Sequence, residues 1–319
     1  MKIAFVGDIH CTSKQPRMRI DDYNEAMFNK LTYIADKHFD AVFFLGDFFH
    51  KPRCTEELEN KLIKCLRIDF AGTDKYCIIG NHDFWFDNMS TFNKTALCNL
   101  TLSNEIRLMN ESNKIQYDDT VVYVLPYFHE KIDSWLNSLE FFVRNVVIIG
   151  HHFFDWPDDF GYSLKYDYIN SYCQKHKGIN FKFILGHDHE RHEDVHGDNF
   201  SVIRPGSLMR PILKQYALTQ GVNIVSVDTK TFEHKLCEIE VAEPANKIFN
   251  LNSYKFNKDN KVITSEYSLH QMHKCIQALN SCNNEKDTTM YNALQSINAD
   301  QDVIQYIRDL YNINNLAFD

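Results

Sequence analysis

Short apolar runs recur along the chain, and each gives way to glycine or polar residues. They are Lys2–Val6, Ala41–Leu45, Lys75–Ile79, Val121–Leu125, Val146–Ile149, Phe181–Leu185 and Val222–Val227. Runs this short, rich in β-branched and aromatic residues, predict strands covered on both faces. Between several of them the apolar residues change to a helical period. Asp22 to His38 sets Tyr23, Ala26, Met27, Leu31, Ile34 and Ala35 near one face, and Glu56 to Leu66 does the same with Leu58, Leu62, Ile63 and Leu66. Strand–helix–strand alternation predicts an α/β fold whose sheet is covered by helices. Ligands in such folds sit in the loops beyond the strand C-termini.

From about Val241 the pattern changes. The chain becomes rich in Asn and Lys, then carries helical stripes at Leu269, Met272, Ile276 and Leu279 and at Val303, Ile307 and Leu310. Two domains are therefore expected. Residues 1–240 form the main α/β unit, and 241–319 a small, mainly helical segment that caps it or meets a partner.

Composition narrows the class without naming a function. With 44% hydrophobic and 24% charged residues among 319, the chain is neither disordered nor fibrous. No apolar run approaches the ~18 residues of a membrane span, and the N-terminus reads as a strand. A cytoplasmic protein with no membrane partner is expected. The net charge of -9 argues against a generally basic nucleic-acid coat. It leaves room for phosphates held by cations and a local basic rim. The nine cysteines include no CxxC pair and read as reduced thiols.

The residues that follow the strands carry the chemistry. Gly7-Asp8-Ile9-His10, Gly46-Asp47-Phe48-Phe49-His50, Gly80-Asn81-His82-Asp83, Gly150-His151-His152 and Gly186-His187-Asp188-His189 each follow an apolar run. Glycine lets the backbone turn out of the sheet, and the next residues project oxygen or nitrogen donors at its edge. One such motif would be an ordinary turn or helix cap; five in series point to a metal site. The candidates are Asp8, His10, Asp47, Asn81, His151, His187 and His189. Seven donors are too many for one tetrahedral ion and suit two ions sharing a carboxylate. Asp, Asn and His donors suit Mn²⁺, with Fe²⁺ or Zn²⁺ also compatible. Two ions about 3.5–4 Å apart are a standard device for phosphoester hydrolysis.

The order GDxH, GD, GNHD, GHH and GHxH resembles the calcineurin-like metallophosphoesterases, over Met1 to about Asp228. The resemblance implies a four-layer α/β/β/α sandwich with a dinuclear site. By motif, one metal would take Asp8, His10, Asp47 and His189, and the other Asp47 as bridge with Asn81, His151 and His187. His82 would face the phosphate, with Asp83 orienting it. His152 is the alternative to His151 as ligand.

Within the family, a histidine three residues after the bridging aspartate, here His50, looks like the DNA-repair nuclease branch of SbcD and meiotic recombination eleven proteins. There it would help to place the DNA phosphate or its leaving group. Arg17, Arg19, Asp21 and Asp22 after the first motif, and Arg204-Pro205-Gly206-Ser207 after the last, are similar to that branch too. The short tail departs from cellular members and looks like compact phage or mobile-element versions. The implied function is a metal-dependent DNA exo/endonuclease in recombination or repair. Its expected partners are DNA, an SMC-type (SbcC-like) ATPase subunit or a second copy of the chain. Alternatives are a phosphoesterase for small or cyclic nucleotides or phosphoproteins, and a non-catalytic scaffold on the same fold. Arg17, Arg19, Lys51, Arg53, Arg191, Arg204 and Arg210 are candidate backbone contacts. Phe48, Phe49, Phe84, Trp85, Phe86, Phe153, Phe154 and Trp156 are candidates for stacking on bases.

Overall fold

The computed structural model describes residues 1–85, 88–156 and 163–251. Phe86 and the two C-terminal stripes lie outside them. All the described residues belong to one compact unit, Met1–Val262.

Two six-stranded sheets form the centre. The first runs in the order β14 (His234–Glu238), β13 (Asn223–Asp228), β1 (Lys2–Val6), β2 (Ala41–Phe44), β3 (Asp74–Cys77) and β4 (Arg107–Leu108). Strands β1 to β4 are parallel, while β13 is antiparallel to β1 and to β14. The second sheet runs β11 (Val195–His196), β12 (Phe200–Ile203), β10 (Asn180–Gly186), β7 (Asn145–His151), β6 (Thr120–Val124) and β5 (Lys114–Tyr117). Its inner strands β12, β10, β7 and β6 are parallel, and its edges β11 and β5 antiparallel. A short parallel pair, β8 (Phe153–Phe154) with β9 (Ser163–Leu164), lies outside both sheets.

The continuous apolar runs are explained by the layering. Alternate side chains of one strand enter different cores, as the period of two requires. Ile3 and Phe5 of β1 meet Val147 and Ile149 of β7 between the sheets. Ala4 and Val6 turn the other way, toward Tyr23, Met27, Leu31 and Ile34 of α1 (Tyr23–Ala35) and Leu58 and Leu62 of α2 (Glu56–Ile68). Helix α3 (Ala96–Leu102) adds Leu97 and Leu100 to that layer. On the far side, Val146 and Ile148 of β7 pack on Trp135 of α4 (Ile132–Ser138) and on Ile169 and Tyr172 of α5 (Tyr166–Lys175). This is the α/β/β/α sandwich that the resemblance implies.

Helix α1 starts where Asp22 accepts a hydrogen bond from the Glu25 N–H at 2.9 Å, an ordinary N-cap. Just before it, Arg19 is 5% exposed and forks onto both Asp21 oxygens at 2.7 and 2.5 Å. Its third nitrogen donates to the Arg210 carbonyl at 2.9 Å, and its guanidinium lies over the Tyr23 and Phe249 rings. From α1, the buried Lys30 Nζ donates to the Leu208 carbonyl at 2.9 Å, in surroundings where burial and the nearby Arg210 and Arg19 push its pKa well down. Arg210 is buried too, and donates to the carbonyls of Ala217 and Glu243. These three basic side chains fasten segment 207–210, which in turn reaches the first strand's end: the Leu208 N–H donates to the Asp8 carbonyl at 3.0 Å and the Ser207 N–H to that of His189 at 3.1 Å. A small core of Leu213, Ala217, Ala245, Ile248 and Phe249 closes over the clasp. It joins α6 (Gln215–Thr219) to α7 (Ala245–Ile248), so the chain beyond residue 240 continues into the packed unit as far as the described residues go.

Arg19 and Arg210 are thus structural, which corrects their assignment to a DNA-facing rim: a guanidinium committed to a carboxylate or carbonyls has little left for a phosphate. Breaking such a pair strands its buried partners. Arg19→Ala is expected to lower the unfolding free energy by about 2–4 kcal/mol. Arg17→Ala, exposed two residues away, should change it by less than about 0.5 kcal/mol. Urea unfolding followed by circular dichroism reads both, and equal effects would refute the clasp.

Candidate metal centre

The five motifs meet at one end of the two sheets. The loops after β1 and β2 run side by side: His10 N–H donates to Asp47 O, Cys11 N–H to Phe48 O and His50 N–H to Cys11 O, each at 2.9 Å. This brings His10 beside Asp47 and His50. The sheets are tied across the gap by the same residues. His151, the last residue of β7, donates from Nδ1 to the Leu45 carbonyl at 2.7 Å, and His187 N–H donates to Asp8 Oδ1 at 3.1 Å.

Close approach, more than turning, explains the glycines. Only Gly46 of the motif glycines has a left-handed φ, +91°. A Cβ there would sit 2.5 Å from His151 Nδ1, and one on Gly80 would strike the Asp47 backbone nitrogen and carboxylate. The turn falls instead on the ligand-bearing residues: His10, Asp47 and His187 have φ of 48°, 46° and 82°. Non-glycine residues adopt such values rarely and at a cost of order 1–3 kcal/mol.

Donor atoms fall into two groups that share one carboxylate. Asp8, His10, Asp47 and His189 form the first, and Asp47, His151 and His187 the second, with the atoms of each within 4.8 Å of one another. In the first, His10 Nε2 lies 2.8 Å from His189 Nε2, and His189 Nε2 3.4 Å from Asp8 Oδ2. In the second, His151 Nε2 lies 3.1 Å from Asn81 Oδ1, 3.1 Å from His187 Nδ1 and 3.4 Å from Asp47 Oδ2. Asp8 and Asp47 are each 1% exposed.

This donor set fits a pair of divalent ions. Asp8 Oδ2 is buried and has no hydrogen-bond partner among the described residues, a costly state for a carboxylate oxygen unless something positive meets it. Burial pushes the Asp8 carboxyl above its usual range. Burial also pushes His10 and His187 well below the usual imidazole value and His189 down to about 4, which leaves them neutral with free lone pairs. Burial opposes charge on His151 as well, but the charge of Asp47 and its hydrogen bond raise this histidine to about 9. The same pairing holds Asp47 ionised against its burial. Because a carbonyl only accepts, the bond to Leu45 fixes the proton of His151 on Nδ1 and aims Nε2 inward.

His82 projects beside this cluster and is partly exposed. Its N–H donates to Asp47 Oδ1 at 2.8 Å, its Nδ1 donates to the His50 carbonyl at 2.9 Å, and its Nε2 stands 3.9 Å from Asp47 Oδ2. The His50 ring stacks on the His82 ring at 5.3 Å.

Three expectations change. Asp83 is fully buried and accepts from the N–H groups of Phe49 and Gly80 at 3.1 and 2.9 Å. It locks the two loops together, whereas the His82 ring is oriented by the His50 carbonyl. His152 turns away from the centre and donates to the Pro126 carbonyl at 3.0 Å, because successive residues at a strand's end point to opposite faces. Phe48, Phe49, Phe84 and Phe154 are buried packing, and Arg204 is buried with its guanidinium over Phe154. Phe153 lies against the His187 ring at 4.0 Å. Arg17, Lys51, Arg53 and Arg191 are exposed.

Sequence reasoning passed over two residues. Asp188, between two ligand candidates, accepts from His192 Nε2 at 2.8 Å and from the Glu190 N–H at 3.1 Å, and so fixes their loop. The signal was a carboxylate with His four residues on. Lys214 lies near enough for its charge to act on His189; nothing in its surroundings in the sequence marks it.

The model of the calcineurin-like phosphoesterase family matches residues 1–191. No curated protein matches the chain. Among solved structures, an archaeal phosphodiesterase is 14% identical with a TM-score of 0.39, covering 75% of this chain and 99% of its own. A dimetal phosphatase from Danio rerio is 11% identical with a TM-score of 0.43, covering 75% and 96%. Purple acid phosphatase from yellow lupin (Lupinus luteus) seeds is 13% identical with a TM-score of 0.47, covering 76% and 52%. Among the described residues no helix is long and apolar enough to cross a membrane. With the family model covering more than half of its length, the chain belongs to the calcineurin-like metallophosphoesterases, a family of phosphoester hydrolases that work with a dinuclear metal centre.

Proposed function

We propose that the chain is a two-metal DNA nuclease of the recombination and repair type. The observation that carries this reading is the placement of His50. Its side chain stands with those of His10 and His82, donor atoms within 4.8 Å of one another, at the open side of the metal cluster. The exposed Lys51 and Arg53 follow it directly. A hydrolase for small phosphate esters needs the ions and one proton donor; a second imidazole and a basic loop suit a longer polyanion.

Asp8, His10, Asp47 and His189 would hold one ion, and Asp47, Asn81, His151 and His187 the other, most readily Mn²⁺. When bound, the pair supplies an activated water and neutralises the phosphoryl oxygens. Asp47, fixed by the His82 N–H, sets the spacing of the two groups. His82 keeps its proton on Nδ1 through the His50 carbonyl, so protonation at Nε2 makes it a donor to the leaving oxygen. His50, stacked on it, places the flanking phosphate, and Lys51, Arg53, Arg17 and Arg191 hold the DNA backbone by charge.

The direct test is cleavage of end-labelled single- and double-stranded DNA with Mn²⁺, beside bis(p-nitrophenyl) phosphate. His50→Ala is expected to reduce cleavage of DNA and leave the small diester largely intact. Equal losses on both would reassign His50 to the general metal site, and wild-type activity on the small diester alone would point to a small-molecule phosphodiesterase.

Asp47→Ala should lose both activity and metal, since one carboxylate serves both ions. Retention of two ions per chain in plasma mass spectrometry would contradict the bridge. His82→Ala should keep both ions and lose about 10²–10⁴ in rate, the usual worth of a positioned proton donor. Loss of metal in that variant would make His82 a ligand.

Metal loading must also displace the proton that His151 carries below about 9 in the metal-free protein. Affinity is therefore highest in alkali and falls as pH drops, with His10 and His187 adding competition only in acid because burial lowers them. Calorimetric titration in two buffers of different ionisation enthalpy should show net proton release near neutral pH. Affinity that is flat between about pH 8 and about pH 6 would exclude His151 as a ligand.

A further inference from the structure

Beside the two groups already assigned stands a third set of imidazoles, His10, His50 and His82, with donor atoms within 4.8 Å of one another. His10 is committed to the first ion in the proposed function, on which this inference rests. His50 and His82 are not ligands there, and both still offer nitrogen. His82 Nδ1 is occupied by the His50 carbonyl at 2.9 Å, which leaves the Nε2 lone pair open. His50 Nδ1 is buried and has no hydrogen-bond partner among the described residues. The two rings lie nearly parallel, 21° apart, with centroids 5.3 Å apart. Two imidazoles side by side, at a mouth where solvent or phosphate can complete the shell, make a site for a borderline-soft ion with Zn–N bonds of about 2.0–2.1 Å.

We infer that the His50–His82 pair is a third, inhibitory divalent-cation site, selective for Zn²⁺ over Mn²⁺. Imidazole favours zinc, whereas manganese favours the carboxylates, which the first two sites supply. An ion held there takes the lone pair through which His82 would be protonated and occupies the place where His50 meets phosphate. The same two residues therefore serve either DNA or zinc. Excess zinc inhibits, and DNA competes with it.

The experiment counts ions and rate together in the full chain. Protein loaded with Mn²⁺ is titrated with Zn²⁺ during DNA cleavage, and parallel samples dialysed against excess Zn²⁺ are analysed by plasma mass spectrometry. Expected are three zinc ions per wild-type chain and two in His50→Gln. Expected too is a fall in wild-type rate of at least about tenfold, relieved by raising the DNA concentration. In the wild type, protection of His50 from diethyl pyrocarbonate should appear only with the third equivalent of zinc, a readout that needs no variant. Two zinc ions per wild-type chain with intact Mn²⁺-dependent cleavage would overturn the third site and leave the nuclease reading standing. Three ions in His50→Gln would also overturn it. Three ions and zinc-dependent protection in a protein that cleaves no DNA would keep the site and remove the nuclease reading.

Discussion

A buried carboxylate with almost no access to water sits at the centre of this molecule. Asp47 is held in a left-handed backbone conformation between Gly46 and the backbone of Gly80, and its oxygens meet the His82 N–H, His151 and His10. A lone carboxylate in such a place would be neutralised or expelled. It remains ionised because the ends of four strands bring partners to it: β1 through His10, β3 through His82, β7 through His151 and its own β2. The glycines, the tight loops and the paired sheets can all be understood as what is needed to crowd that many groups around one anion.

The sandwich supplies the crowding by joining layers that hydrogen-bonded sheets alone leave separate. Between the sheets the contacts are apolar and without direction, from Phe5 and Phe43 to Val147 and Ile149. Directed bonds cross at the site end, from His151 to Leu45, from His187 to Asp8, and from the 207–210 segment to both Asp8 and His189, and again away from it, where Thr120 donates to the Thr229 carbonyl and Lys182 meets His234. The buried basic side chains Arg19, Lys30 and Arg210 belong to that system. Arg19 and Lys30 hold carbonyls of the segment that frames the first donor group, and Arg210 ties that segment to the Ala217 carbonyl.

Much of this was legible in the sequence, for a physical reason. Strands buried on both faces read as continuous apolar runs, so β1, β2, β6, β7, β10 and β13 were visible within a residue or two. The edge strands β5, β11 and β14 were not, because half-exposed strands mix polar and apolar residues without a strong period. The seven donor residues could be picked out since each follows a strand whose end must face its neighbours' ends. What sequence could not give is the direction of a side chain. His151 and His152 look alike in GHH, and only the pleat decides which of them turns inward. Arg19 and Arg17 look equally basic, and only Asp21 and the Arg210 carbonyl make one of them structural. Asp83 sits next to His82 in the chain, yet its bonds go to Phe49 and Gly80.

The backbone at the centre carries an evolutionary consequence. His10, Asp47 and His187 occupy the left-handed region without being glycine, and Asp8 is a carboxyl whose ionisation is opposed by burial and by the neighbouring Asp47. Each of these features disfavours the folded state when no ion is present. A replacement that abandons chemistry, such as asparagine at position 8, removes that carboxyl and keeps an oxygen to accept from the His187 N–H. Drift in this chain therefore runs downhill toward inert copies, since the same change that silences the site relaxes the fold. Catalytic activity is the state that selection must keep supporting, and a sandwich freed from that demand would survive as a sturdier, silent scaffold.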